Sequence, residues 1–261
     1  MYCELINNTS INKEIFRLNF AWPGVSQIKC TPPKAGQFFM VKPKRSSVFL
    51  GRPISVALWE PNTVGFLIAL RGRGTQELAS MRIGEEAELI GPLGNAWIDF
   101  LPNLTRDNVK PIALIGGGAG LAPLLAFLGE EPPCSLVLLA GFRTGFGNTE
   151  EKSALFVPAL SASQKIIIAT EDGTEGLKGR IPDFLEPEQY AGVCACGPEP
   201  MLKAVAEKCK TARVPCLVSM ERRMACGVGA CLGCTVQTVN GNRRCCADGP
   251  IFNAHEVIFD D

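Results

Sequence analysis

The chain has 261 residues, of which 46% are hydrophobic and 20% are charged, and its 26 basic residues balance its 26 acidic ones. This composition is typical of a globular protein and excludes extensive disorder, while the balance of charge argues against nucleic acid or an acidic membrane surface as a partner. The sequence has neither an apolar stretch long enough for a transmembrane helix nor the pattern of a signal peptide at its start, so we expect a cytoplasmic protein.

The first part of the chain contains short apolar runs that are separated by glycine and proline. Runs of this length and spacing predict the antiparallel strands of a barrel or a sandwich. We therefore predict an N-terminal antiparallel β-barrel domain over residues 1–100. The predicted strands cover residues 14–20, 37–41, 54–58, 65–70 and 87–90.

Two short motifs in this part of the chain carry groups that bind phosphate. The first places the planar guanidinium of Arg52 close to the hydroxyl of Ser55. The second places Gly74 and Thr75 where a helix is predicted to begin, so that backbone amides point toward a ligand. Each motif is weak evidence alone, but together they favour a dinucleotide such as FAD. The residues assigned to this site are Arg52, Pro53, Ile54, Ser55, Gly74 and Thr75.

After Pro111, apolar strands alternate with helical stretches. This alternation is typical of a parallel α/β sheet. We predict a doubly wound α/β domain over residues 101–220, which opens with a polar linker at residues 101–110. Its predicted strands cover residues 112–115, 136–140, 166–169, 193–196 and 216–218.

Two turns in this domain follow predicted strands and carry glycine. The glycine turn from Gly116 to Gly120 leads into a helix, whose N-terminal amides suit a pyrophosphate. The dinucleotide fingerprint G-x-G-x-x-G is incomplete, so a purely structural turn is the alternative. Cys196-Gly-Pro198 is a second such turn, and both are expected at the carboxyl edge of the sheet, where α/β domains bind ligands. The candidate nucleotide-binding residues are Gly116, Gly117, Gly118, Gly120, Pro123, Gly197 and Pro198.

Five of the twelve cysteines lie close together near the end of the chain, which contains a single histidine. In a chain without a secretion signal, such clustering indicates a metal or redox centre and not a disulfide framework. Cys226, Cys231 and Cys234 have the C-x4-C-x2-C spacing of plant-type ferredoxins, which hold a 2Fe-2S cluster. The glycines between them allow backbone N–H groups to point toward cluster sulfurs.

A structural zinc site is the alternative for this cysteine loop, because Cys231 and Cys234 with one later cysteine would supply thiolates. Zinc knuckles more often pair two C-x2-C units, and here the second unit is missing, so the 2Fe-2S cluster is favoured. The spacing leaves the fourth ligand open between Cys245 and Cys246. We predict a small cluster-binding lobe over residues 221–261.

Several motifs match one known family in order along nearly the whole chain. They are Arg52-Pro-Ile-Ser55, Gly74-Thr75, Gly91-Pro-Leu-Gly-Asn95, the turn at residues 116–124, Cys196-Gly-Pro198, residues 219–234 and Cys246-Ala-Asp-Gly-Pro250. With these motifs the chain resembles the electron-transfer subunits of class 1B dihydroorotate dehydrogenases.

The resemblance implies a barrel that binds FAD, an α/β domain that binds NAD(H) and a C-terminal lobe that holds the cluster. It selects Cys246 as the fourth ligand, beside Cys226, Cys231 and Cys234, and it places Cys196 at the nicotinamide edge of the flavin. It also implies an FMN-containing catalytic subunit as partner, in a heterotetramer with two copies of each chain.

The chain departs from the family pattern in two places. An arginine is usual where this chain has Ala69, and Arg71, on the same strand face, is a candidate to replace it. Ala69, Leu70 and Arg71 are therefore included in the predicted flavin site. Ala96 and Trp97 replace a usual glycine and are expected to alter the flavin pocket or its rim.

The predicted activity follows from the chemistry of these cofactors. A nicotinamide exchanges a hydride, which carries two electrons, whereas an iron-sulfur cluster takes one electron at a time, so a flavin must lie between them. We expect an oxidoreductase subunit that links NAD(H), FAD and the cluster to dihydroorotate oxidation by its partner in pyrimidine biosynthesis. The alternatives are a similar subunit of a hydrogenase, a sulfur reductase or a ferredoxin-linked NADP reductase, a stand-alone flavin reductase, and a zinc-binding nucleotide sensor.

Overall fold

The computed structural model describes residues 1–22, 31–104, 110–156 and 165–259. Its first part is a closed barrel of antiparallel strands in the order β1-β2-β5-β4-β3-β6, as the sequence predicts. The strands are β1 Tyr2–Ser10, β2 Ile15–Ala21, β3 Phe38–Pro43, β4 Arg52–Glu60, β5 Thr63–Ala69 and β6 Glu86–Leu93.

Aromatic rings fill the barrel and give it a core of its own. Trp22 contacts Phe39 edge to face at 5.4 Å between ring centroids, and Phe39 contacts Phe66 at 5.7 Å. Pairs of this geometry contribute about 0.5–1.5 kcal/mol beyond the burial of their area. The helix α1, Arg73–Ala79, follows β5 and lies at the rim of the barrel, beside the cleft described below.

The second part is a sheet in the order β10-β9-β8-β7-β11-β12-β15. All neighbouring strands in it are parallel except β12 and β15, which are antiparallel. The strands are β7 Ile112–Gly117, β8 Leu136–Phe142, β9 Lys165–Thr170, β10 Leu177–Lys178, β11 Gly192–Cys196, β12 Cys216–Ser219 and β15 Ile251–Asn253.

Five further helices and one hairpin complete the described chain. The helices are α2 Leu101–Leu104, α3 Ala122–Gly129, α4 Thr149–Phe156, α5 Glu199–Ala212 and α6 Cys245–Asp248, and the hairpin pairs β13 Thr235–Thr238 with β14 Gly241–Arg244. Single turns of 3-10 helix lie at Trp97–Phe100, Gly118–Leu121, Ile181–Phe184 and Pro187–Gln189. None of the helices within the described ranges is long and apolar enough to cross a membrane.

Helix α3 joins the barrel and the sheet through one hydrophobic core. It is apolar on all sides, as expected for a helix that is buried all round. Its residues Leu124 and Phe127 belong to the same buried cluster as Ile15 and Leu67 of the barrel. The relative position of the two parts is therefore set by packing along a continuous apolar interface.

The predicted polar linker is in part a packed element. Leu101 and Leu104 of α2 are buried, and Leu104 contacts the backbone of β11 at Gly192. This part of the prediction was wrong because the two leucines of the segment point inward. Residues 105–109 of the predicted linker lie outside the described residues.

Candidate functional site

A cleft of about 1580 Å³ lies between the barrel and the carboxyl edge of the parallel sheet. Pockets for small molecules usually measure about 300–1,000 Å³, so this cleft is larger than a usual site for one small molecule. Its walls come from β4, the turn into α1, the glycine turn after β7, the turn after β11, and residues 219–224 after β12.

The barrel wall brings together the two predicted phosphate-binding motifs. The guanidinium of Arg52 lies directly on Gly74, where a β-carbon would overlap Arg52 Nε. Arg52 also donates to the Leu50 carbonyl at 3.3 Å. Two motifs that are 22 positions apart in sequence thus share one surface of the cleft.

The hydroxyl of Thr75 has a structural role in this wall. Thr75 Oγ1 accepts from the backbone N–H of Arg71 at 2.9 Å and donates to the Gly72 carbonyl at 2.9 Å. It therefore closes the turn that presents Gly74 to the cleft. Ser55, Pro53 and Ile54 also line the cleft.

The segment that departs from the family pattern lies partly in the cleft. Ala69 and Arg71 line it, whereas Leu70, between them on the chain, does not. Partial loss of surrounding water raises the pKa of Glu221, although its side chain stays exposed at the cleft, and the charge of Arg71 opposes this shift. Ala96 and Trp97 are buried and do not line the cleft, so an effect of these two residues on the flavin pocket stays a prediction.

The two predicted turns of the α/β domain contact each other at the sheet edge. Gly118 has a φ of +56° in open space, which favours glycine. A β-carbon at Gly120 would lie 2.6 Å from the Cys196 carbonyl oxygen, and one at Gly117 would lie 3.1 Å from Pro198. Side chains at these positions would push the turns apart. Gly117, Gly118, Gly120, Gly197 and Pro198 line the cleft.

Two of the predicted nucleotide-binding residues pack in the interior and do not line the cleft. Gly116 faces Leu121, whose side chain would lie 2.7 Å from an added β-carbon. Pro123 is buried in the first turn of α3. The cleft lining includes neither residue.

Cys196 lies at the end of β11, where the two turns meet, and its exposed fraction is 2%. It pairs with Gly116 on one side and with Ser219 on the other. Burial raises the pKa of its thiol well above the usual value, and the charge of Glu221 adds to the shift. The thiol is therefore neutral at the cleft surface, where it can contact a ligand without acting as a nucleophile.

The four predicted cluster ligands form two pairs. The sulfurs of Cys234 and Cys246 are 3.3 Å apart, and both residues are buried. The backbone N–H of Cys231 lies 3.4 Å from the sulfur of Cys226 on the outer side of the loop. Two pairs of thiols suit a cluster of two iron atoms held by four thiolates.

Backbone N–H groups point at these sulfurs, as the interleaved glycines predict. The N–H groups of Cys231, Val228 and Ala230 lower the pKa of Cys226 to about 6. The N–H of Gly229 lies 3.1 Å from the sulfur of Cys246. Donors placed in this way stabilise negative charge on the sulfurs and on a cluster that they hold.

A site for a single metal ion is not preformed in the part of the chain that the structure describes. No group of three or more His, Cys, Asp or Glu side chains is gathered there around one point. Burial raises the pKa of Cys246 to about 11, with the Cys234 thiol as the next cause. A thiol that coordinates a cation is deprotonated, so the bound metal would offset this cost at Cys246.

The comparisons with known proteins decide the family. A model of the iron-sulfur cluster binding domain of dihydroorotate dehydrogenase B matches residues 221–258. The dihydroorotate dehydrogenase B (NAD(+)) electron transfer subunit of Clostridium perfringens is 41% identical over 225 residues, 86% of this chain and 87% of that one. The chain belongs to the family of dihydroorotate dehydrogenase B electron transfer subunits.

A second relative aligns with this chain over nearly the full length of both proteins. The subunit of the same name from Caldanaerobacter subterraneus is 33% identical over 99% of this chain and 98% of its own length. Among solved structures, the NADH-dependent reduced ferredoxin-NADP oxidoreductase aligns with a TM-score of 0.79 at 26% identity, over 99% of this chain and 90% of that one. A ferredoxin NADP+ reductase from Neisseria gonorrhoeae shares the fold, with a TM-score of 0.63 at 21% identity over 81% and 90%.

Asn95, which the sequence gives only as the last residue of the motif Gly91-Pro-Leu-Gly-Asn95, has a structural role. In this electron transfer subunit, Asn95 joins the barrel to the segment that follows Cys246. Its side chain donates to the Ile251 carbonyl at 2.9 Å and accepts from the Ile251 N–H at 3.0 Å, while its own N–H donates to the Gly249 carbonyl at 2.8 Å. The signal available in the sequence was the turn motif itself.

An ion pair that the sequence gave no reason to expect lies between the turn after β11 and the cysteine lobe, the segment from residue 221 onward. Arg222 makes two hydrogen bonds to the Glu199 carboxylate, at 2.8 and 3.2 Å. Glu199 begins α5 directly after Pro198. The pair therefore connects the turn at Cys196 to the segment that leads into Cys226 in the electron transfer subunit.

Proposed function

We propose that this chain takes up hydride from NADH at a flavin in the cleft and passes single electrons, through a 2Fe-2S cluster in the cysteine lobe, to a dihydroorotate dehydrogenase catalytic subunit, or runs the same path in reverse. One observation carries the proposal. Residues 219–224 form a wall of the cleft and then lead directly into Cys226. The nucleotide site and the cluster site thus share one continuous segment.

The side chains of this chain bind and orient the cofactors. Arg52, held against Gly74, binds the FAD pyrophosphate, and Ser55 contributes a hydroxyl. The turns at Gly118 and Gly197 hold the dinucleotide of NAD(H), because their backbones can approach a ligand closely. When bound, FAD converts a two-electron hydride into single electrons, and the cluster carries them one at a time.

The neutral thiol of Cys196 faces the nicotinamide in this proposal. It is small and polarizable, so it separates the nicotinamide from the protein wall without competing for the hydride. Cys226, Cys231, Cys234 and Cys246 hold the cluster. The domain bounds 1–100, 101–220 and 221–261 and the assignment of these site residues are part of the proposal.

The partner binds where the cluster loop is open to the outside. Two large apolar side chains, Val228 and Leu232, are exposed beside the outer pair of ligands. The ligand Cys231 lies between them and is also exposed. Exposed apolar residues beside a redox centre suit contact with another protein. We propose an FMN-containing catalytic subunit there, two copies of each chain in the complex, and a cytoplasmic location in which the many free cysteines stay reduced.

The proposal is tested on protein expressed with its own partner and purified without oxygen. We expect about two iron and two sulfide per chain, the composition of a 2Fe-2S cluster, together with FAD and reduction of both by NADH. Iron replaced by zinc, or a flavin spectrum that NADH does not change, would contradict it.

A second candidate function is a similar subunit of a ferredoxin-linked NADP reductase. It is favoured by the alignment with the NADH-dependent reduced ferredoxin-NADP oxidoreductase, which covers 99% of this chain. Identification of the copurified partner and of its cofactor distinguishes the two. A partner with FMN and dihydroorotate-dependent reduction supports the first candidate.

A further inference from the structure

Met220 lies at the point where the cleft and the cysteine lobe meet. It follows β12, lines the cleft and is 2% exposed. Both of its peptide groups bind the segment that carries Cys246: its N–H donates to the Pro250 carbonyl at 2.9 Å, and its carbonyl accepts from the thiol of Cys245 at 3.0 Å. The cleft wall is therefore fixed to the cluster segment from two sides.

Cys245 makes three connections at this junction. Its thiol donates to Met220 of the cleft wall, its backbone N–H donates to the Cys234 carbonyl at 2.9 Å, and its peptide bond leads to Cys246. Its side chain is completely buried. One residue that is not assigned as a ligand thus joins the cleft wall to both inner ligands of the predicted cluster.

We propose that Cys245 is a positioning residue for electron transfer between the flavin and the cluster. This inference rests on the proposed function. The S–H···O=C bond holds the wall at Met220 at a fixed distance from the inner ligand pair. One electron passes between reduced flavin and oxidised cluster in each event, no bond forms or breaks at Cys245, and its proton stays on sulfur.

Three substitutions of Cys245 distinguish the effect of its hydrogen bond from the effect of its side-chain volume. Cys245→Ser keeps a donor at nearly the same position, Cys245→Val fills the space without a donor, and Cys245→Ala removes both. Cys209→Ala is the matched control, because Cys209 is equally buried but lies on α5. All variants are prepared as the complete complex with bound cofactors.

Three measurements are made on each protein. Iron, sulfide and FAD are determined first, and stopped-flow absorption then follows reduction of the flavin by NADH and the later reduction of the cluster as separate phases. Hydrogen exchange of the Met220 amide, which donates to Pro250, is measured without any turnover. This last readout reports the junction itself and does not depend on the activity of the complex.

We expect Cys245→Val and Cys245→Ala to keep cluster and flavin and to reduce the flavin at the parent rate. Cluster reduction should slow severalfold, because the rate of electron transfer falls steeply as the distance between the flavin and the cluster increases. Exchange at Met220 should speed up by about threefold, less than for loss of an ordinary hydrogen bond, because a thiol is a weak donor. Cys245→Ser and Cys209→Ala should remain within about twofold of the parent in both readouts.

Several results would overturn the proposal. Parent-like cluster reduction and Met220 exchange in Cys245→Val would show that the hydrogen bond has no positioning role. Equal slowing in Cys209→Ala would assign the effect to general loss of a buried sulfur, and loss of the cluster in Cys245→Ser would make Cys245 a ligand. A parent complex without NADH-dependent flavin reduction would instead contradict the proposed function, while the exchange measurement would still show whether the Cys245 thiol holds the wall at Met220.

Discussion

The cysteine lobe and the cleft differ in how far apart their site residues lie in the sequence. Three of the four predicted cluster ligands lie within nine residues, and backbone N–H groups of the same loop, from Val228 to Cys231, face the sulfurs. The cleft is instead built from segments at Arg52, Gly74, Gly118, Cys196 and Glu221. A site within one loop is visible in the spacing of the sequence, whereas a site between domains becomes visible only when packing brings its parts together.

The sharpest test of this contrast is the choice between two adjacent cysteines. Cys246→Ser should abolish cluster binding, because Cys246 lies 3.3 Å from Cys234 and receives the Gly229 N–H. Cys245→Ser should retain the cluster, because its thiol points to Met220. Iron and sulfide analysis of the two variants decides the assignment, and the reverse result would make Cys245 the ligand.

In the cleft, the largest expected effect is at Cys196. Cys196→Ala should slow reduction of the flavin by NADH by up to about a hundredfold through loss of positioning, with little change in FAD content. Cys194→Ala, at a buried position two residues earlier on β11, is the control and should keep the parent rate. Anaerobic stopped-flow measurement gives both rates. If flavin is reduced at the same rate in Cys196→Ala and Cys194→Ala, Cys196 has only a structural role.

The contact between Arg52 and Gly74 gives a paired test of the barrel wall. Arg52→Ala should weaken FAD binding by about 1.5–3 kcal/mol, or about ten- to a hundredfold, through loss of a charge-assisted hydrogen bond. Gly74→Ala should also weaken it, because the added methyl group overlaps Arg52. Gly72→Ala, where a β-carbon meets nothing within 4 Å, is the control. Titration of the flavin-free protein with FAD measures all three.

If all three variants retain FAD as the parent does, the flavin does not bind at this wall. Weak binding in Gly72→Ala alone would point to the turn and not to the Arg52 contact. Either outcome would weaken the idea that distant segments combine into one phosphate site.

The smallest expected effect concerns the outer side of the cysteine loop. In cluster-free protein, alkylation of Cys226 should increase through a midpoint near pH 6 and level off above pH 7, because the pKa of this thiol is lowered to about 6. The sign follows from the thiolate, which is the reactive form and is already the major form at neutral pH. Mass spectrometry of the alkylated peptide measures it. A midpoint at the ordinary value, near 8.5, would mean that the N–H groups do not face the sulfur before the cluster binds.

The sequence predicted the barrel, the parallel sheet and the cysteine loop because each has a local pattern. It missed β1, whose stretch from Asn7 to Ser10 is polar, since only Cys3 and Leu5 of this strand are turned into the core. It also missed β15, which is only three residues long and depends on β12 for its pairing. Short or half-polar strands gain their stability from partners that the sequence does not reveal.

The residues of the candidate site were likewise predicted only where they belong to a local motif. Arg52, Gly74, Gly118 and Cys196 line the cleft as predicted, because glycine turns and arginine motifs have recognisable local chemistry. Asn95, by contrast, makes bonds to residues more than 150 positions away, and such contacts leave no local trace. Gly116 and Gly118 are both glycine, but a β-carbon added at Gly116 would contact Leu121, whereas one added at Gly118 would meet nothing within 4 Å. Identity alone therefore did not separate a packing glycine from one at the cleft surface.

The antiparallel strand β15 also protects the parallel sheet from self-association. Without it, β12 would be an outer strand, and its four residues Cys216–Ser219 are all buried in the present fold. An uncovered strand of this kind offers unpaired backbone groups and an apolar surface to other chains. Truncation of the chain before Cys226 should therefore yield aggregates instead of a smaller flavoprotein, which size-exclusion chromatography would detect.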